Sequence, residues 1–214
     1  LEEYNNNLKQ EKNHIEEEMK QISNTINDIR KEYAINLSNQ INREIKELEM
    51  KNAEFTILVE KVDEFNKNGQ NRVEFLISTN EGEDKKSLIK IASGGEMSRI
   101  MLAIKTVLSN VDQVSCLVFD EIDTGISGKA AKAVGEKLKK ISKYHQVLIV
   151  THLASIAAKG EYNYYIYKEN AEGKTKTKVV LLQGEAVLKE IARISTGEVT
   201  EISMRHAMEL REVI

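Results

Sequence analysis

The chain has no proline, no tryptophan and a single cysteine among its 214 residues. One thiol, Cys116, excludes an internal disulfide and makes a reducing compartment the default expectation. No apolar run approaches the ~20 residues that a helix needs to cross a bilayer, and the charged amino-terminal stretch, which reads as a coil, is why no membrane partner is expected. No secretory leader is visible, because the first residues, Leu1-Glu2-Glu3, are acidic. They include no initiator Met, as expected of a piece of a longer protein. A formal net charge of -3 excludes attraction of the whole molecule to nucleic acid. Any DNA contact has to be local or made through another chain. The lack of proline suits long helices, since proline breaks them.

What is present begins with such a helix. Residues Leu1 to about Met50 carry no glycine and dense charge. Leu1, Leu8, Ile15, Ile22 and Ile29 recur every seven residues, and Met19, Ile26 and Tyr33 fill the alternate positions. This is a heptad seam, thinned where Glu11 and Glu18 fall on it. After Tyr33 the steps become four, four and four through Leu37, Ile41 and Ile45, a stutter that locally unwinds a supercoil. At ~70 Å the helix is too long to lie on one small domain, so a coiled-coil arm is expected over residues 1–50. The rest, 51–214, is expected to be one α/β lobe.

From Glu54 the period changes. Glu54–Val62 and Arg72–Ser78 are strand-like and flank a turn cluster with an Asn68-Gly69 step, which predicts a hairpin. Further on, Tyr162–Glu169 and Lys174–Leu182 predict a second hairpin. Lys174, Lys176 and Lys178 share one strand face; this suits an edge guarded by lysine, and a DNA-facing stripe is the other use of the same residues. Two helices, Glu185–Ser195 and Thr200–Ile214, close the chain around Gly197.

The chemistry sits between the hairpins. Ser93-Gly94-Gly95-Glu96 opens a helix that continues with Ile100, Met101, Ile104, Val107 and Leu108. Ser93 is placed to cap it, the paired glycines let another group approach the backbone, and the free N–H groups of the first turn favour an anion such as phosphate. Alone, this is an ordinary capped helix start. It gains meaning from Ser98-Arg99 and from the strand downstream. Val114–Phe119 is a nearly continuous apolar run, expected to be a strand buried on both faces. Asp120 and Glu121 stand at its carboxyl end, where ligands bind in open α/β sheets. One acid suits Mg²⁺ held through water, and the other suits orienting or deprotonating a water that attacks a phosphate. Ile122-Asp123-Thr124-Gly125 turns into a helix from Gly128 to Tyr144. A second buried strand, Gln146–Val150, then ends in Thr151-His152, which puts His152 in the same crevice as the acids. His14, His145 and His206 have no such setting, and Cys116 reads as a small core residue.

Together these residues resemble the ABC-type ATPases. Ser93-Gly94-Gly95-Glu96 resembles their signature motif, Leu117–Glu121 their Walker B strand, Asp123 their D-loop and His152 their switch histidine. Within that class, Phe75–Asn80, Ile91–Ala103, Asp120–Gly128, Thr151–Leu153 and the tail from Lys174 to Arg193 are similar to the RecN family of bacterial DNA-repair proteins, of the SMC-like branch. The likeness covers about Ala53 to Ile214, and the first fifty residues suit a coil's returning helix. It departs at Ala154, where proline is expected. The fold it implies is α/β: the carboxyl-terminal lobe of an ABC-type P-loop ATPase head, a parallel sheet core flanked by helices with β-hairpins, plus an amino-terminal coiled-coil helix.

The resemblance implies ATP and Mg²⁺ as cofactors and two heads that sandwich ATP as a homodimer. Asp120 would serve the metal, Glu121 the attacking water and His152 the γ-phosphate. Ser93, Gly94, Gly95, Glu96 and Asp123 would line the nucleotide. It further implies recombinational repair of DNA double-strand breaks, with break ends as a partner, at a cytoplasmic, nucleoid-associated place. The nucleotide-gripping loop, G-x-x-x-x-G-K-[ST], is not found. Gly173-Lys174-Thr175 mimics its end, but Lys168 stands where the first glycine belongs and the setting is strand to strand. That loop is expected in the protein's own amino-terminal half, outside this sequence, so the chain alone is expected to be inactive. Another SMC-like ATPase of chromosome maintenance, or a non-catalytic DNA-tethering coiled-coil protein, shares many of these residues.

Overall fold

The computed structural model describes residues 2–90, 93–171 and 174–212. The seam position at Leu1, the Ile91-Ala92 lead into the glycine turn, the hairpin tip at Gly173 and the last two residues expected in the final helix lie outside them. The chain divides into two compact units: residues 1–46 with 50–91, and residues 47–49 with 92–214.

The first unit is built on α1, Glu2–Glu47, a helix with Glu2 and Glu3 in its first turn and Lys46 in its last, as the helix dipole favours. Beyond it, β1 (Glu54–Asn66) and β2 (Gly69–Ser78) form the expected hairpin, longer than the apolar runs alone. Gly69, at φ 95°, takes the left-handed conformation that closes the turn, and β3 (Lys86–Ser87) adds a short third strand beside β2. Strand β1 is an edge of this sheet. At its start, outward backbone groups are taken up by α1: the Asn42 amide donates to Phe55 O and accepts from Phe55 N, both at 2.8 Å, and Ile57 N donates to Ser38 Oγ at 3.0 Å. Further along the helix, Arg30 and Asn27 bond Asn71, and Lys61 bonds Asn24. Covering an edge in this way removes a site of unwanted strand pairing.

The second unit opens with α2 (Gly94–Leu108), β4 (Cys116–Phe119), α3 (Gly128–Ile141) and β5 (Gln146–Ile149). Strands β4 and β5 are parallel neighbours in register from Cys116 opposite Gln146 to Phe119 opposite Ile149, with α3 as the crossover that parallel strands require. Leu117 and Phe119 on β4, Ile100, Leu102, Ala103 and Ile104 on α2, and Val134, Leu138 and Ile141 on α3 are all buried. The expectation that β4 is buried on both faces is not met. Val118 is 67% exposed, and Leu148 and Val150 are exposed too. Side chains alternate along a strand, so one face lies against the core while the other stays open among the described residues.

After β5, the short α4 (Ala154–Ala157) leads to the hairpin β6 (Asn163–Ala171) and β7 (Lys174–Leu182), then α5 (Glu185–Thr196) and α6 (Glu201–Leu210). Ala158, Val187, Ile191, Ala192 and Ala207 form their core. Gly197, at φ 85°, ends α5, and Thr200 with Ser203 makes a capping box that starts α6. No described helix is long and apolar enough to cross a membrane.

Candidate functional site

The site forms where α2 begins and where β4 and β5 end. Ser93 is extended and exposed, and its hydroxyl accepts a long 3.4 Å bond from Glu96 N. The two glycines sit in different surroundings, and only Gly95 is closed in by backbone. A side chain at Gly94 would collide with the Glu121 carboxylate, which lies against the first turn of α2. At Gly95, a Cβ would come within 2.9 Å of Thr124 O and 3.1 Å of Glu121 O. The loop leaving β4 is therefore packed backbone to backbone on the glycine turn.

Asp120 and Glu121 are both exposed. The Asp120 carboxylate accepts Glu121 N at 2.9 Å, and its carbonyl accepts Ser98 Oγ at 2.8 Å. Glu121 has φ 57°, a left-handed conformation that costs a non-glycine residue roughly 1–2 kcal/mol. The chain turns sharply there, and the carboxylate is thrown back toward Gly94.

Asp123 has a different setting. It is 2% exposed, and Oδ2 gathers Thr151 Oγ1 at 2.5 Å, His152 N at 2.8 Å and His152 Nδ1 at 3.1 Å. Its carboxylate is thus spent inside the chain, on the segment after β5. The His152 ring stays 72% exposed. With Nδ1 turned to a carboxylate, Nε2 is the nitrogen left for a ligand. Leu153 N donates to Thr151 Oγ1, which fixes this segment further.

Arg99, the buried member of the Ser98-Arg99 pair, has a role that its immediate neighbours in sequence do not show. It is 6% exposed, and Nη1 donates to Ile122 O at 3.2 Å and Thr124 O at 2.9 Å. Burial pulls its pKa down, and the Glu96 carboxylate one turn earlier pushes it back up. A signal was present: Arg99 shares a helix face with Leu102, Ala103 and Thr106, so a charge interrupts an otherwise buried stripe. Thr151, which donates to Asp123, carries no local sign of that role.

The structure therefore brings Ser93, Gly94, Gly95, Glu96, Asp120, Glu121, Asp123 and His152 to one end of the parallel pair. Among the described residues, no group of three or more His, Cys, Asp or Glu could hold a metal ion by itself. A lone Asp120 fits Mg²⁺ as one ligand of an ion that keeps several waters and takes phosphate oxygens. Lys176 and Lys178 lie exposed on β7, opposite Glu169 and Tyr167 of β6.

The fold is α/β and like that of part of an SMC-type head domain. It is similar to the crystal structure of the Smc head domain with a coiled coil and joint derived from Pyrococcus yayanosii, with a TM-score of 0.52 and 20% identity over 76% of this chain and 29% of that one. No family model matches the chain. In sequence the chain is RecN-like and corresponds to a carboxyl-terminal part. It is 42% identical to the DNA repair protein RecN of Halalkalibacterium halodurans over 89% of this chain, and 40% identical to that of Bacillus subtilis over 95%. To the RecN of Treponema pallidum it is 49% identical over 66% of its length. The chain spans 35%, 38% and 25% of the lengths of these three relatives.

Proposed function

We propose that residues 51–214 are the carboxyl-terminal lobe of an ATPase head that acts in recombinational repair of DNA double-strand breaks, and that residues 1–50 are its coiled-coil arm. The observation that carries this reading is the convergence of a glycine-opened helix start, two acids at the end of β4 and a histidine after β5 on one end of a parallel strand pair. Phosphoryl transfer needs little covalent chemistry from a protein; it needs groups held in place around the phosphates.

In this reading, Asp120 holds Mg²⁺, which neutralises charge on the phosphate oxygens when bound. Glu121 orients the attacking water and takes its proton. His152 meets the γ-phosphate through Nε2, with Asp123 fixing its ring. Ser93, Gly94 and Gly95 offer the free N–H groups of α2 to the γ-phosphate of ATP held on a second, identical head, and Glu96 flanks them. The loop that grips the nucleotide belongs to the protein's own amino-terminal half, so this chain by itself neither binds ATP tightly nor cleaves it. The open face of β4 and β5 supports this division, because parallel sheets are stable when both faces are covered. DNA ends are engaged by the complete assembly, at the nucleoid in the cytoplasm.

The test pairs this chain with that half. Hydrolysis should appear on pairing, and Glu121→Gln should lower it by about a hundredfold or more while ATP stays bound. Unchanged turnover with Glu121→Gln would remove Glu121 from its role. A paired head with no turnover at all would overturn the ATPase reading.

A further inference from the structure

The loop that carries Glu121 and Asp123 has few means of holding its own shape. Glu121 is in a left-handed conformation, and the turn bonds to itself through Thr124 N to Glu121 O at 3.0 Å and a longer 3.4 Å contact from Ile126 N to Asp123 O. Ile122 is buried and the Asp123 side chain ties to Thr151 and His152, but the carbonyls of the loop are held from α2. Three alternate carbonyls, those of Asp120, Ile122 and Thr124, receive donors from two consecutive helix residues, Ser98 and Arg99. Arg99 reaches two of them with one nitrogen, Nη1. Its Nε is buried with no partner. A buried guanidinium with an unspent donor is costly, so packing alone would favour an apolar residue of similar volume here.

The contacts continue past the loop. Between the two carbonyls held by Arg99 lies Asp123, whose carboxylate in turn holds Thr151 Oγ1 and His152 N. One buried side chain thus stands behind the glycine turn at Ser93–Gly95, the Glu121 backbone and, through Asp123, His152. Resting on the ATPase reading above, we propose that Arg99 is a positioning residue: it locks the Glu121–Asp123 loop to the Ser-Gly-Gly turn, so that the acid and the histidine are in place when ATP is bound. It touches no substrate itself. It keeps the groups that act on one nucleotide in register with the helix start that faces the other.

The experiment uses the head reassembled from this chain and its amino-terminal half, with Arg99→Met, Arg99→Lys and Ser98→Ala compared with the unaltered protein. Misplacing a reacting group by about 1 Å costs on the order of a hundredfold in rate. Arg99→Met should therefore lower kcat by at least about tenfold with KM for ATP unchanged, and Arg99→Lys, which keeps the charge and restores one carbonyl bond, should fall between. Ser98→Ala should have the smallest effect. Hydrogen exchange at the His152 amide, read on the same samples, should quicken in both Arg99 variants, because that amide is held only at second hand through Asp123. A mere staple of α2 would leave it unmoved. If Arg99→Met fails to fold, Arg99→Lys and the His152 amide decide the matter. Unaltered turnover and unaltered His152 exchange in Arg99→Lys would overturn the proposal. If instead the unaltered head does not turn over while His152 exchange still responds to Arg99→Lys, the ATPase reading fails and the positioning of the loop stands.

Discussion

The two ends of α1 both carry an apolar stripe and have opposite fates. Ile15, Ile22 and Ile29 repeat at heptad spacing and are exposed, whereas Ile41 and Ile45, four residues apart past the stutter, are fully buried. The stutter after Tyr33 is where the stripe passes from open surface to core. The side chains that bond the hairpin are mostly not on the stripe at all: Asn24, Asn27, Arg30, Ser38 and Asn42 run along a neighbouring face. An apolar period therefore tells which face wants covering and says nothing of what covers it. Strand β4 repeats the lesson in the second unit, with Leu117 and Phe119 buried and Val118 open between them.

The comparison is broken most severely at the buried end. Ile41→Ala should cost about 2–5 kcal/mol, read as a fall in the urea midpoint of the first unit. A cost no larger than that of an exposed position would mean that the helix does not bury Ile41. Asn42→Ala comes next. It strips both backbone groups of Phe55 of their partner, at about 1–3 kcal/mol, with faster hydrogen exchange at the Phe55 amide as the specific sign.

A smaller effect is expected in the second unit at Lys105, in the last turn of α2, and Asp112 just beyond the helix, paired at 2.5 Å. The lysine bond, helped by Val114 N, holds the Asp112 carboxyl below its ordinary range. A depressed carboxyl stabilises the fold above its unfolded pKa, about 3.9, and loses that contribution as pH falls through the folded value. Lys105→Met should thus lower the denaturation midpoint at neutral pH, and the gap from the unaltered protein should close in acid. A gap that persists well below pH 4 would assign the loss to packing.

The open surfaces should respond least. Ile22→Ser on α1 and Val118→Ser on β4 should each change the stability of the chain by about 0.5 kcal/mol or less. They sharpen the contrast when a partner is supplied: Val118→Ser should weaken pairing with the amino-terminal half although the isolated chain is unaffected. Equal pairing by both proteins would mean that the open face of β4 is not where that half docks.

Much of the candidate site could be read from local rules. Ser93 before two glycines marks a helix start, the acids after an apolar run mark a strand end, and Gly197 with Thr200 marks a stop and a new cap. Each signal lies within a few residues because each is a matter of backbone torsion or nearby hydrogen bonding. The roles of Asp123 and Arg99 could not be read that way. Asp123 looked like one more acid facing a ligand, and its carboxylate is turned inward to Thr151 and His152, 28 and 29 residues on. Arg99 looked like part of a motif, and its partners are carbonyls 23 and 25 residues away. Asn42, one of the frequent asparagines of α1 that could pass for compositional drift, holds both backbone groups of Phe55 on an edge strand.

By itself the sequence determined the main helices and strands, their order and several of their caps, because periodicity, caps and turns act over one or two helical turns. Tertiary structure alone decided which apolar faces are covered, which carboxylate is spent inside the chain and which is left for a ligand. Those outcomes depend on contacts between segments distant in sequence, where burial and the pairing of polar groups are settled together.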